Sequence, residues 1–191
     1  MMTTRKLLLL AIMVTLGAQT AYAKPHEVTL GKTQRAHLNV FFSNFAEVQL
    51  PTFARGDLTN QAMIDFGVLH RILNNEKMLR SNGAGRWKLA ASDVASASMY
   101  YFGDKPTSWR SSKHAPYRNG YFYGESSAGD TYNFAEVSRV WDLGRGLFRA
   151  DVNIMEPQSM DDTKGVRVAR RRTLIRKVSN RYLLVEYQPL R

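Results

Sequence analysis

The chain has 191 residues, no cysteine, and 27 Lys and Arg against 16 Asp and Glu, a formal charge of +11. With 44% hydrophobic and 23% charged residues it reads as an ordinary globular chain rather than a disordered one. The missing thiol excludes a disulfide scaffold, a thiolate metal site, cysteine catalysis and a lipid-modified N-terminal cysteine.

The first 23 residues read as a cleaved secretory signal. Arg5 and Lys6 precede an apolar run over residues 7–16, and Ala21-Tyr22-Ala23 offers a small-x-small cleavage site before Lys24. The run is shorter than the roughly 20 apolar residues of a membrane span, and no later stretch reaches that length. The expectation is a periplasmic or secreted protein, with residues 24–191 forming a single domain.

Residues 33–49 place Leu38, Phe41, Phe42, Phe45 and Val48 on one helical face, and Pro51 ends that helix. A second helix is capped by Asp57 or Thr59. Met63, Phe66, Leu69 and Leu73 form its stripe. Ala62, Ile64, Val68 and Ile72 widen the stripe enough to imply burial on more than one side. Its stop is predicted at Ser81-Asn82-Gly83. Trp87 to Leu89 is a connector or a short strand. Ser92 caps a third helix through Val94, Ala97, Tyr101 and Phe102, and Gly103 stops it.

After Gly103 the period changes to two. Asn119-Gly120 between aromatic runs is the strongest hairpin signal. Residues 126–130 form a second turn. Residues 132–141 form a strand of imperfect alternation, and Gly144-Arg145-Gly146 turns the chain. Phe148, Ala150, Val152 and Ile154 then alternate with polar residues in a half-buried strand. Residues 166–178 and 182–187 form a last pair joined around Ser179-Asn180. The predicted architecture is α+β: two to three helices packed on one face of a curved antiparallel sheet of four to six strands.

The positive charge is concentrated near the end. Residues 164–181 hold Lys164, Arg167, Arg170, Arg171, Arg172, Arg176, Lys177 and Arg181 and no acidic residue. On a strand, Arg167, Arg171 and Lys177 share one face, and Arg170, Arg172 and Arg176 share the other. A strand buried on one face cannot easily hide three arginines there, so an edge position, an overhang or a bulge is expected. One reading is a binding surface for an anionic envelope component or an acidic protein. The other is a solvated edge whose arginines block aggregation. Nucleic acid fits poorly with a secreted chain that carries no nucleic-acid motif.

Trp109, Tyr117, Tyr121 and Tyr123 are candidates for an aromatic cleft, or for core aromatics whose hydroxyls reach water. His70 is a candidate acid or base on the second helix. Asp65 and Glu76 lie at poor helical spacing from it, which favours a helix-surface or boundary position. The sequence carries no helical histidine pair, calcium loop, phosphate loop, dinucleotide fingerprint or serine elbow. No catalytic residue, metal ligand or cofactor is therefore assigned.

Helices followed by hairpins resemble the cone-shaped α+β fold of the nuclear-transport-factor and ketosteroid-isomerase superfamily, or the related cystatin-like arrangement. The phrases Phe41-Phe42-Ser43-Asn44-Phe45, Asn74-Asn75, Tyr101-Phe102-Gly103 and Asn119-Gly120-Tyr121-Phe122-Tyr123 resemble uncharacterised bacterial secreted proteins and lipoproteins, as does the ending from Arg176 to Tyr187. The second resemblance implies no activity. The cone fold implies either an enzyme or a binder, and its enzymes work through a carboxylate or histidine inside an apolar cavity. Asp65 or His70 would need to point inward for that role. Three functions follow as expectations: a non-catalytic binding or accessory protein, a small cavity enzyme or ligand carrier, or an inhibitor or immunity-type protein of an envelope enzyme.

Overall fold

The computed structural model describes residues 24–83, 85–125, 132–159 and 161–191. The predicted signal and the turn at 126–130 lie outside the described residues. The described elements are β1 (His26–Glu27), α1 (Lys32–Glu47), α2 (Asn60–Asn74), β2 (Arg80–Ser81), β3 (Arg86–Ala90) and α3 (Ala91–Phe102). They continue as β4 (Tyr117–Arg118), β5 (Tyr121–Glu125), β6 (Phe134–Asp142), β7 (Leu147–Glu156), β8 (Val166–Val178) and β9 (Arg181–Pro189). This is an α+β fold with antiparallel pairing. The main sheet runs β1-β6-β7-β8-β9, and a smaller sheet, not foreseen as separate, runs β2-β3-β5-β4. The order is not helices first and strands after, because β3 lies between α2 and α3 and pairs with β5.

Local chemistry explains most boundaries. The Thr59 hydroxyl accepts the Ala62 N–H at 3.1 Å and opens α2, so Thr59 rather than Asp57 is the cap. The helix ends at Asn74, well before the predicted stop. Asn74-Asn75 combines low helix propensity with side chains that compete for local bonds, and the chain turns through Glu76–Met78 into β2. Ser92 is not the cap of α3. Strand β3 runs straight into the helix, so the cap position is Ala90, and the Ala91 N–H bonds Gly120 O at 2.9 Å instead. Between β4 and β5, Asn119 and Gly120 have φ of 48° and 82°, the two left-handed residues of a tight hairpin.

Two bulges reconcile burial with alternation. Val137 and Val140 are both buried three residues apart on β6, which a regular strand forbids; the register slips between Val137 and Arg139. Leu184 and Tyr187 on β9 pose the same problem, and the register slips opposite Leu174 and Ile175.

Phe42 and Phe45 of α1 are fully buried against Val137, Ala150, Val152, Ile175 and Leu184 of the main sheet. A second core joins Ile64 and Val68 of α2 to Trp87, Leu89, Val94 and Phe122 around the small sheet. Helix α2 sends Phe66 into the first core and Ile64 and Val68 into the second, which accounts for its wide apolar stripe. No described helix is long and apolar enough to cross a membrane.

Candidate functional site

The arginine-rich segment becomes β8, and β8 is not an edge strand. It pairs with β7 over most of its length and with β9 from Arg171 onward. Only its first residues, up to Arg170, overhang β9. The edge expectation is corrected because β9, read from sequence as the closing partner, covers the far side of β8.

Pairing sorts the cations. Residues directly opposite share a face. Arg170 faces Asn153 and Glu136; Arg172 faces Asp151 and Gln188; Arg176 faces Leu147. Arg139 also opposes Asp151, and Trp141, Arg149, Leu174 and Glu186 form the next row. This is the face turned away from α1. Arg139, Arg170, Arg172 and Arg176 are exposed on it, while Trp141 and Leu174 are half-buried. Five guanidiniums thus meet three carboxylates on one sheet surface.

Asp151 organises the middle of that surface. Alternation on β7 places it outward, yet it is only 5% exposed. Arg172 closes over it through two bonds, Nε to Oδ1 at 3.0 Å and Nη2 to Oδ2 at 3.3 Å. The Asp151 bond raises the Arg172 pKa further above its usual value, against a smaller opposing effect of desolvation. The Arg149 guanidinium carbon lies 4.4 Å from the centre of the Trp141 ring, and its Nε is buried with no hydrogen-bond partner among the described residues.

The other predicted cations separate from this group. Arg171 is turned inward, with its guanidinium 5.6 Å from the centre of the Tyr187 ring. Lys177 lies at the far inner end beside Val28, Phe148 and Tyr182. Arg167 lies beyond a register slip and pairs with Met155. The sequence-predicted strip is therefore divided between two sides of the sheet.

The four candidate aromatics do not form one cleft. Trp109 and Tyr117 stack on each other at 6.0 Å and pack against Phe122 in the second core. Tyr121 and Tyr123 alternate with Phe122 along β5 and lie on its other face, beside Lys88 at 5.2 Å and Arg118 at 5.6 Å respectively.

His70 is buried rather than superficial, at 4% exposure. Its ring stacks on Phe66 at 5.3 Å and meets the edge of Tyr101 at 4.8 Å. Its carboxylate neighbour is neither Asp65 nor Glu76 but Glu47 at the end of α1, 3.7 Å from Nδ1. Asn74 Nδ2 approaches His70 Nδ1 at 3.2 Å and donates to Glu47 Oε1. Asp65 instead accepts from the Gln61 side chain and the Lys113 N–H. Asn74 lies one helical turn after His70 on α2, whereas Glu47 escapes a sequence reading because it meets His70 only when α1 packs beside α2. A cleft of about 380 Å³ adjoins Glu47, lined also by Trp87, Lys113 and His114. Burial and the neighbouring Lys113 lower the His114 pKa. Among the described residues no His, Asp and Glu cluster could hold a metal ion.

No family model, no curated protein and no solved structure matches this chain.

Proposed function

We propose that this is a secreted, non-catalytic binding or accessory protein whose outward sheet face holds an anionic envelope component or an acidic protein partner. The observation that carries the reading is the group Arg139, Arg149, Arg170, Arg172 and Arg176 on the sheet face turned away from α1. A rigid sheet presents these charges at fixed spacing, which suits a repeating or extended polyanion. Trp141 and Leu174 between them add apolar contact to a surface otherwise read by charge. The signal-like first 23 residues support work outside the cytoplasm, where envelope polyanions are the available partners.

The test replaces Arg139, Arg170 and Arg176 with Gln together. Arg172 is spared because its loss strands the buried Asp151 charge. Retention is measured on vesicles containing phosphatidylglycerol, on lipopolysaccharide, on peptidoglycan and in pull-downs from envelope extract. On the surface that proves to be the partner, the triple variant loses about 1 kcal/mol per arginine, roughly a hundred-fold overall, and added salt weakens the wild type. Equal retention of both proteins on every surface removes the arginine face from the account.

A further inference from the structure

A cleft of about 280 Å³ opens on the helix side of the main sheet, where α1, the end of α3 and the start of β9 meet. Val40, Phe41 and Asn44 of α1 line it, with Tyr100 and Tyr101 of α3 and Tyr182 of β9. Its side chains reach solvent. Val40 is 66% exposed, more than any other large apolar side chain among the described residues, and Tyr100 is 50% exposed. Scattered exposed apolar groups are ordinary; two on one concave surface, beside three half-buried aromatics, are not. The polar groups are of a definite kind. Asn44 is only 9% exposed. Its Nδ2 donates to the Val40 and Phe41 carbonyl oxygens, at 2.7 and 3.5 Å, and no donor reaches its Oδ1 among the described residues. A withdrawn acceptor without a donor is costly unless a ligand supplies one. His37 and Asn180, both exposed, complete the polar lining with Arg181.

We infer that this cleft is a binding site for a neutral hexopyranose ring of an oligosaccharide, which packs its C–H face on Tyr100 and Val40 and donates a hydroxyl to Asn44 Oδ1. Three observations select that chemistry. The ligand must carry a hydrogen-bond donor, which a hydrocarbon lacks. It must also offer an apolar face to aromatic rings, as a sugar ring does and a compact ion does not. And the wall offers little charge to an ion. No carboxylate lines the cleft, and burial raises the Tyr101 hydroxyl to about 12 and pushes up that of Tyr182, so both stay protonated. The Arg181 guanidinium is engaged with the end of α3: its Nη1 donates to Tyr100 O at 2.8 Å and to Met99 O at 3.4 Å, and its carbon lies 4.9 Å from the centre of the Tyr100 ring. The volume lies near the lower bound of about 300 Å³ for small-molecule pockets, which suits one ring rather than a chain. The site stands on the opposite side of the main sheet from the arginine face and does not rest on the reading of that face.

The experiment is an NMR titration of the full protein with maltotriose and with the β-1,4-linked trimer of N-acetylglucosamine, read on methyl and aromatic signals, with cyclohexanol as the control. The expected result is saturable shifts at Val40, Tyr100 and Tyr182 with at least one trisaccharide, at a Kd of about 10 mM or tighter. Cyclohexanol, an apolar ring with a single hydroxyl, binds about ten-fold more weakly or worse. Tyr100→Ala weakens the saccharide about ten-fold through lost ring contact, and Asn44→Ala about five-fold through the lost acceptor. Added salt leaves the affinity unchanged, and the Arg139, Arg170 and Arg176 triple variant binds as the wild type does, so this site and the arginine face fail separately. No saturation by about 50 mM with either trisaccharide, shifts confined to other residues, equal affinity for cyclohexanol, or strong weakening by salt overturns the proposal, and each is read on the wild type whether or not the variants fold.

Discussion

Gly67 sits in the interior of α2, where glycine is a poor helix former. The reason is contact with α3: a Cβ there would lie 2.7 Å from Val94 Cγ1 and 2.9 Å from the Val94 carbonyl oxygen. The carbonyl belongs to a helix backbone and cannot swing aside. Gly67→Ala therefore destabilises the fold by about 1–3 kcal/mol despite its better intrinsic propensity. Denaturant unfolding reads this directly, and a stabilised variant would contradict the close approach. Asp151 teaches a related lesson. Its place on β7 was legible from alternation, but its burial was not, because the cover comes from Arg172 on another strand. The same limit applies to β8: sequence parity separated Arg171 from Arg170, Arg172 and Arg176 but could not say which group met the core.

At the level of elements, α1 does more than bury phenylalanines. Strand β1 has only two residues and pairs with the far end of β6, leaving the edge around Ala135 and Val137 without a strand among the described residues. Helix α1 lies along that gap. Ser43 Oγ accepts the Ala135 N–H at 2.9 Å, Asn39 Oδ1 accepts the Val137 N–H at 2.8 Å, and Arg35 Nη1 donates to Val137 O at 2.6 Å. Side chains of a helix thus complete a ladder that β1 is too short to complete, and they close an edge open to aggregation. Replacing Asn39 and Ser43 with Ala leaves both amides unsatisfied, at about 1–3 kcal/mol each. Hydrogen exchange at Ala135 and Val137 should accelerate well before global unfolding; unchanged protection would mean that other groups serve those amides. The helix itself was visible in its phenylalanine spacing. The duty of Asn39 and Ser43 was not, because polar residues on a helix face look the same whether they meet water or a strand edge.

Across the whole molecule, the half-buried Tyr101 and the buried Tyr187 make stability sensitive to alkali. Burial raises both Tyr101 and Tyr187 from 10.0 to about 12; the Tyr100 and Glu47 charges add to the Tyr101 shift, and Arg171 acts against the Tyr187 shift. Ionisation is thus easier in the unfolded chain. Their contribution is fully present below pH 10.0 and is lost as pH rises toward 12. Denaturant midpoints measured through this range should fall, and Tyr101→Phe should flatten the slope. A midpoint that holds steady to the upper end would show that these hydroxyls ionise equally in both states.

Much of this molecule was decided locally, and the amino-acid sequence alone conveyed it. Period and turn chemistry follow from neighbours within a few residues, so the α1 stripe, the Asn119-Gly120 hairpin and the β7 alternation are all legible, and with them the α+β class. Composition alone likewise showed an excess of arginine without any thiol. Only the tertiary structure decided which strands lie side by side, that His70 meets Glu47 and that β8 lies between two partners. It also decided that Arg171 turns inward beside Tyr187 while Arg170 and Arg172 face outward. Those outcomes depend on contacts between residues tens of positions apart. Burial and pairing of that kind are properties of the packed chain, and no local pattern encodes them.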